Sequence, residues 1–145
     1  WGKKSFVEVF DNPTINFIVL CKDERVIGFA MGQLIVDEYH ILNIAVKKSE
    51  QNKKYGRHLF TVLLNEGLKR DGKHFFLEVR LSNERAIKLY EKYFFLEIFQ
   101  RKNYYSNPSE HASVMYASSE EIALAINKYF GNINIELEGN LKCLG

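Results

Sequence analysis

The chain reads as an α/β domain on a mixed sheet, and three observations carry that reading. Its segments run as a meander of strands, then strand–helix–strand–helix, then a hairpin. Leu59, Phe60, Leu63, Leu64 and Leu68 recur at helical spacing between two β-rich runs. The 145 residues are 46% apolar and 26% charged, a balance that suits one globular domain with a single core.

Residues 1–10 predict a short helix with Phe6, Val7 and Phe10 on one side, ended by Asp11, Asn12 and Pro13. Residues 16–21 (NFIVLC) are β-rich, residues 22–25 read as a hairpin turn, and residues 26–36 return as a strand. Gly28 and Gly32 mark candidate bulges in it. Residues 40–46 (HILNIAV) form a third strand, and the chain turns polar through Lys54. A helix over residues 55–69 ends at Asp71 and Gly72. A strand over 74–79 and a helix over 83–93 follow, the helix with Ala86, Ile87 and Tyr90 on one face. Residues 96–105 and 112–117 form a strand pair. Ser118 to Glu121 has the pattern of a helix start, with a helix to Phe130 and an alternating strand over residues 132–137.

A formal charge of +2 gives no electrostatic footprint for nucleic acid. The longest apolar runs fall well short of a membrane span, and the opening residues carry no signal-peptide pattern. Cys21 and Cys143 lack metal or redox spacing, so a reducing, cytoplasmic setting is expected, with no metal.

Three places carry candidate chemistry. In residues 46–57 (VKKSEQNKKYGR) a strand ends, a polar turn follows and a helix begins; the turn is a candidate phosphate cradle or an ordinary solvated loop. Glu78 interrupts an apolar strand, and a carboxylate there is costly to bury without a partner. Arg80 is read as no natural partner for it. Asn83 reads as a helix cap, and Tyr90 as a core tyrosine with a satisfied hydroxyl.

Taken together, these stretches resemble the GNAT acetyltransferase superfamily, and within it the enzymes that acetylate the N-terminal alanine of a ribosomal protein. The resemblance runs from Trp1 to about Ala117 and is most specific at Glu78–Glu91 (EVRLSNERAIKLYE) and Arg101–Tyr105 (RKNYY). It implies a mixed, mostly antiparallel sheet flanked by helices, and acetyl-CoA as acetyl donor. The backbone of Ile44, Ala45 and Val46 would hold the pantetheine arm. Gln51 opens a pyrophosphate loop that continues through Asn52, Lys53, Lys54, Tyr55, Gly56 and Arg57. Asn83 contacts the cofactor arm, Glu78 acts as general base, Tyr90 as general acid, and Tyr104 and Tyr105 line the peptide groove. An α-amine of pKa about 8 must lose a proton before it attacks, which gives the base its task.

The chain departs from the family pattern at four points. Lys54 stands where the loop's first Gly is expected, and Asn52 where Arg or Gly is common. Phe94 replaces a Gly after the second helix, so that cap is expected to be reshaped. The family's usual first strand and helix would precede Trp1 and are expected to be lacking. Residues 118–145 then form an extension to a 1–117 domain, packed on it or swapped into a neighbour as a homodimer. Competing readings are a GNAT enzyme acting on a small amine or lysine side chain, and a non-catalytic acyl-CoA-binding module.

Overall fold

The computed structural model describes residues 12–23, 25–130 and 143–144; the helix expected over residues 1–10 and the strand over 132–137 lie outside them. The strands are β1 (Ile15–Lys22), β2 (Arg25–Ile35), β3 (Glu38–Val46), β4 (His74–Arg80), β5 (Leu96–Tyr105), β6 (Glu110–Ser118) and the two-residue β7 (Cys143–Leu144). The helices are α1 (Tyr55–Lys69), α2 (Glu84–Glu91) and α3 (Ser119–Phe130). The sheet order is β5-β6-β4-β3-β2-β1-β7. β3 and β4 run parallel, as do β1 and β7, and the other pairs are antiparallel.

β1 reads as a continuous apolar run because both of its faces are covered. Ile18 and Leu20 enter the main core, while Phe17, Val19 and Cys21 join Met31 in a second cluster on the opposite face. Cys21 is buried and disulfide-bonded, which corrects the reducing setting expected from the cysteine spacing: the spacing along the chain does not report which sulfurs the fold brings together. The bulges expected at the glycines fall beside them. Opposite Leu20 and Cys21, Ile27 is the extra residue on β2. Opposite Met31 and Gly32, Leu42 is the extra residue on β3.

α1 buries Leu59, Phe60, Val62, Leu63 and Leu64 in the main core. Its Gly67 is required by close approach: a Cβ there would lie 2.6 Å from the Phe75 ring and 2.8 Å from the Tyr39 ring. Tyr39 is fully buried, and its hydroxyl donates to Asn16 Oδ1 at 3.0 Å. α2 is shorter than the sequence suggested, and residues 92–93 fall in the turn that follows it. Phe94 takes φ +67°, with Phe95 N–H bonded to Tyr90 O and Phe94 N–H to Glu91 O. That is the Schellman cap a glycine would make, so the cap is not reshaped: phenylalanine occupies the left-handed position instead. At α3, Ser118 N–H donates to Glu121 Oε2 and Glu121 N–H to Ser118 Oγ, a complete capping box. Ile122 and Ala125 of this helix are fully buried in the main core.

Candidate active site

The sheet opens where the parallel β3–β4 pair ends. β3 and β4 pair at Glu38↔His74, Tyr39↔Phe75 and His40↔Phe76, and no further. Beyond that point β3 bulges at Leu42 and stays paired to β2 through Val46. β4 stays paired to β6 through Arg80. The ends of the two strands therefore face each other without a ladder between them, and backbone groups of β3 from Ile44 to Val46 are free of strand partners on that side.

A cavity of about 550 Å3 lies over this region, lined from β3 by Glu38, His40 and Leu42, from β4 by Phe76 and Glu78, and from β5 by Phe99, Arg101, Tyr104 and Tyr105. Glu78 has the partner its apolar surroundings demand. Arg101 Nε lies 2.9 Å from Glu78 Oε1, and the Glu78 side chain is 28% exposed. Tyr104 hydrogen-bonds the same carboxylate, which is the main cause of the upward shift of its phenol pKa. Arg80 shares a face with Glu78, two residues apart. What separates them is that Arg80 is taken by the β5–β6 turn: it donates to Pro108 O at 3.0 Å and reaches Glu110 at 3.4 Å, with its guanidinium 4.3 Å over the Tyr105 ring. Glu110 also accepts from Ser82 Oγ and Ser82 N–H, which hold its carboxyl below the usual range and tie the turn to the start of α2.

β5 is irregular between Arg101 and Tyr105, where Asn103 takes φ +52° and its N–H donates to His111 Nδ1. An irregularity of this kind re-aims side chains. It lets Arg101, Tyr104 and Tyr105 all line the cavity, which strict alternation forbids.

Tyr90 does not line the cavity. Its ring packs 4.9 Å from Phe60, and burial pushes its phenol up to about 12, with Tyr105 adding to the shift. Asn83 caps α2, its Oδ1 accepting from Ala86 N–H at 3.2 Å.

The loop at 51–57 lies past the end of β3. Gln51 Nε2 donates to Val46 O, and Lys53 Nζ lies 3.0 Å from Glu50, which also meets Lys22. Lys54 takes φ +67°, ψ +12° as the N-cap of α1, with no side-chain cap hydrogen bond, and Asn52 takes φ +65°. Lysine thus holds a left-handed conformation at the position where the resemblance expects glycine. A Cβ on Gly56 would meet nothing nearer than Val46 Cγ2 at 4.0 Å, so open space lies at the start of α1.

Of the lining residues the sequence singled out Glu78, Tyr104 and Tyr105; the charged and titratable ones it missed are Glu38, His40 and Arg101. Arg101 sits inside the RKNYY motif, where the tyrosines drew the attention. Glu38 and His40 were hidden by a strand start placed at His40, which cut the pair across its boundary.

Residues 1–94 match the Acetyltransferase (GNAT) family, and the chain belongs to it. It is therefore a GNAT acetyltransferase in fold and family. Its relatives narrow the class. It is 38% identical over 105 residues to the ribosomal protein bS18-alanine N-acetyltransferase of Escherichia coli K12, covering 72% of this chain and 70% of that one. The Salmonella typhimurium enzyme of the same name is 37% identical over 111 residues, 77% of this chain and 74% of that one. The crystal structure of the ribosomal-protein-S18-alanine N-acetyltransferase from Escherichia coli superimposes with a TM-score of 0.73 at 34% identity, covering 81% of this chain and 77% of that one. A GNAT acetyltransferase from Elizabethkingia anophelis with acetyl-CoA bound shares the fold, with a TM-score of 0.69 at 17% identity over 81% of this chain and 83% of that one.

Proposed function

We propose that the chain transfers acetyl from acetyl-CoA to the α-amine of a protein N-terminus, an alanine of a ribosomal protein being the acceptor that the relatives' names point to. The observation that carries this is the cleft past the His40↔Phe76 pair, with Glu78 on one side and the free backbone edge of β3 on the other.

The residues present fit acetyl-CoA. Ile44, Ala45 and Val46 pair with β2 on one edge, and the other edge, where Gln51 occupies the Val46 carbonyl, would take an amide-bearing arm as an added strand would use it. At the entry to α1 the N-cap residue Lys54 makes no side-chain cap hydrogen bond, and the left-handed residues at 52 and 54 suit a backbone anion cradle. Gly56 keeps that cradle open. Gln51 and Lys53, being tied to Val46 and Glu50, shape the loop more than they reach out of it. The cap at Asn83 uses its oxygen and leaves its amide N–H groups for the cofactor arm. When bound, acetyl-CoA supplies an activated acetyl thioester.

Glu78 accepts a proton from the acceptor's ammonium, with Arg101 and Tyr104 fixing the carboxylate's orientation. Tyr90, pushed up to about 12, keeps its phenolic proton at neutral pH, as a proton donor must. Tyr104 and Tyr105 form the groove wall against which the peptide lies. We take residues 1–117 as the acetyltransferase domain and 118–145 as an extension, and the burial of Ile122 and Ala125 favours packing of its helix in its own chain over a swap.

The test is acetyl transfer to peptides beginning Ala, Ser, Met and Gly, with free lysine and a polyamine as controls. Transfer is expected to the peptide α-amine, fastest with Ala. Preference for lysine or polyamine redirects the assignment, and acetyl-CoA binding without turnover on any acceptor makes the chain a binding module.

A further inference from the structure

The cavity contains a second proton-handling pair that the proposed mechanism leaves unused. His40 Nε2 lies 2.9 Å from Glu38 Oε2, and both side chains line the cavity. The imidazole stacks on Phe76, with ring centroids 5.4 Å apart and planes 19° from parallel. His40 and Phe76 are the last residues to pair before β3 and β4 separate. The imidazole therefore stands at the vertex of the cleft, held by a carboxylate on one side and a ring on another.

We propose that His40, oriented by Glu38, is a second proton acceptor for the incoming amine, working beside Glu78; this rests on the reading of the cavity as the acceptor site. The partner at Nε2 decides the tautomer. A carboxylate there keeps the proton on Nε2 and leaves the Nδ1 lone pair to act as base, the arrangement in which a carboxylate orients a catalytic histidine. In the step, an N–H bond of the acceptor ammonium breaks and its electron pair stays on the amine nitrogen. Nδ1 takes the proton, directly or through one water, and Glu38 stabilises the imidazolium that results.

Glu78 shares its carboxylate with two partners on β5, which leaves room for a second acceptor. One of its oxygens is engaged by Arg101, and its carboxylate also receives the Tyr104 hydrogen bond. The charged and titratable groups that line the cavity with His40 are Glu38 on its own strand, Glu78 on β4, and Arg101, Tyr104 and Tyr105 on β5; beside them His74 of β4 pairs across from Glu38, and Tyr116 of β6 packs on Phe76. The partner of His40 on β2 is the uncharged Gln33.

The experiment measures kcat and KM of the full chain on an alanine-initiated peptide from pH 6 to 9, for the wild type, His40→Ala, His40→Gln, Glu38→Gln and Glu78→Gln. At pH 7, kcat of His40→Ala is expected to fall by about 10²-fold, with acetyl-CoA binding and thermal stability retained, and added imidazole should restore part of it. The loss should shrink toward pH 9, where the amine is already neutral. Glu38→Gln should show a smaller fall in the same direction. Unchanged kcat in His40→Gln overturns the proposal, as does a loss confined to KM or one that imidazole does not rescue. If those results accompany an impaired Glu78→Gln, the acetyltransferase reading stands and only the role of His40 fails. If the wild type transfers to no peptide, both fail.

Discussion

Replacing Lys54 by glycine should make the protein more stable while preserving its hold on acetyl-CoA. Lys54 sits at φ +67°, ψ +12° at the entry to α1 and makes no capping hydrogen bond there. A left-handed conformation costs an L-residue roughly 1–2 kcal/mol, which glycine does not incur. Glycine gives back roughly 0.5–1 kcal/mol through the greater freedom of its unfolded chain. The difference is a net gain of about 0.5–1 kcal/mol, or about 1–4 °C in Tm for a domain near 150 residues. The N–H groups of residues 55–57 belong to the backbone and survive the change, so an anion cradle built on them should keep its affinity. Thermal unfolding reads the first effect and titration calorimetry with acetyl-CoA reads the second. Gly56→Ala is the contrasting variant. Its Cβ enters open space with Val46 Cγ2 4.0 Å away, so the fold should be unaffected while cofactor binding weakens. A lower Tm for Lys54→Gly would refute the strain argument. Lost binding with intact stability would mean that the lysine charge, and not the N–H cradle, holds the diphosphate.

Other perturbations test the remaining parts. Glu78→Gln should lower turnover by about 10²-fold at neutral pH with acetyl-CoA binding retained, and the deficit should shrink as the amine deprotonates at high pH; unchanged turnover at pH 7 removes Glu78 from the mechanism. Tyr90→Phe should impair transfer with the fold intact; a sharp drop in Tm with unchanged activity per folded molecule would make Tyr90 a core residue only. Ile122→Ala should cost about 2–5 kcal/mol in urea unfolding, since a fully buried side chain leaves a cavity, and truncation after Ala117 should cost at least as much. A truncated chain as stable and monomeric as the full one would show that α3 is dispensable. Burial raises the folded-state pKa of Tyr39, Tyr90 and Tyr93 above the unfolded value near 10. Their contribution is therefore complete below pH 10 and is lost as pH rises through the folded values, at up to about 1.4 kcal/mol per pH unit for each tyrosine. Urea midpoints should hold from pH 8 to about 10 and fall above it, and Tyr39→Phe should flatten the decline.

Local signals in the chain were enough for the elements from β1 to α3. The helical spacing of Leu59 to Leu68 gave α1 its bounds, because one face of a 3.6-residue period faces the core and no tertiary detail alters that. The Ser118–Glu121 pattern gave the start of α3, because a capping box closes within four residues. Glu78 stood out because a carboxylate in an apolar strand must be answered somewhere. Where the answer lies is a matter of distance in sequence. Arg101 and Tyr104 are more than twenty residues away, and an irregular stretch of β5 turns them toward Glu78; no local period encodes that. Glu38 and His40 gained meaning only from the place where β3 and β4 part, which is a property of two strands separated by a whole helix. Lys54 and Phe94 show the converse. Read as sequence, each breaks a glycine pattern, yet both hold the left-handed conformation glycine would take, because the surrounding turn and cap hydrogen bonds outweigh the strain of one L-residue.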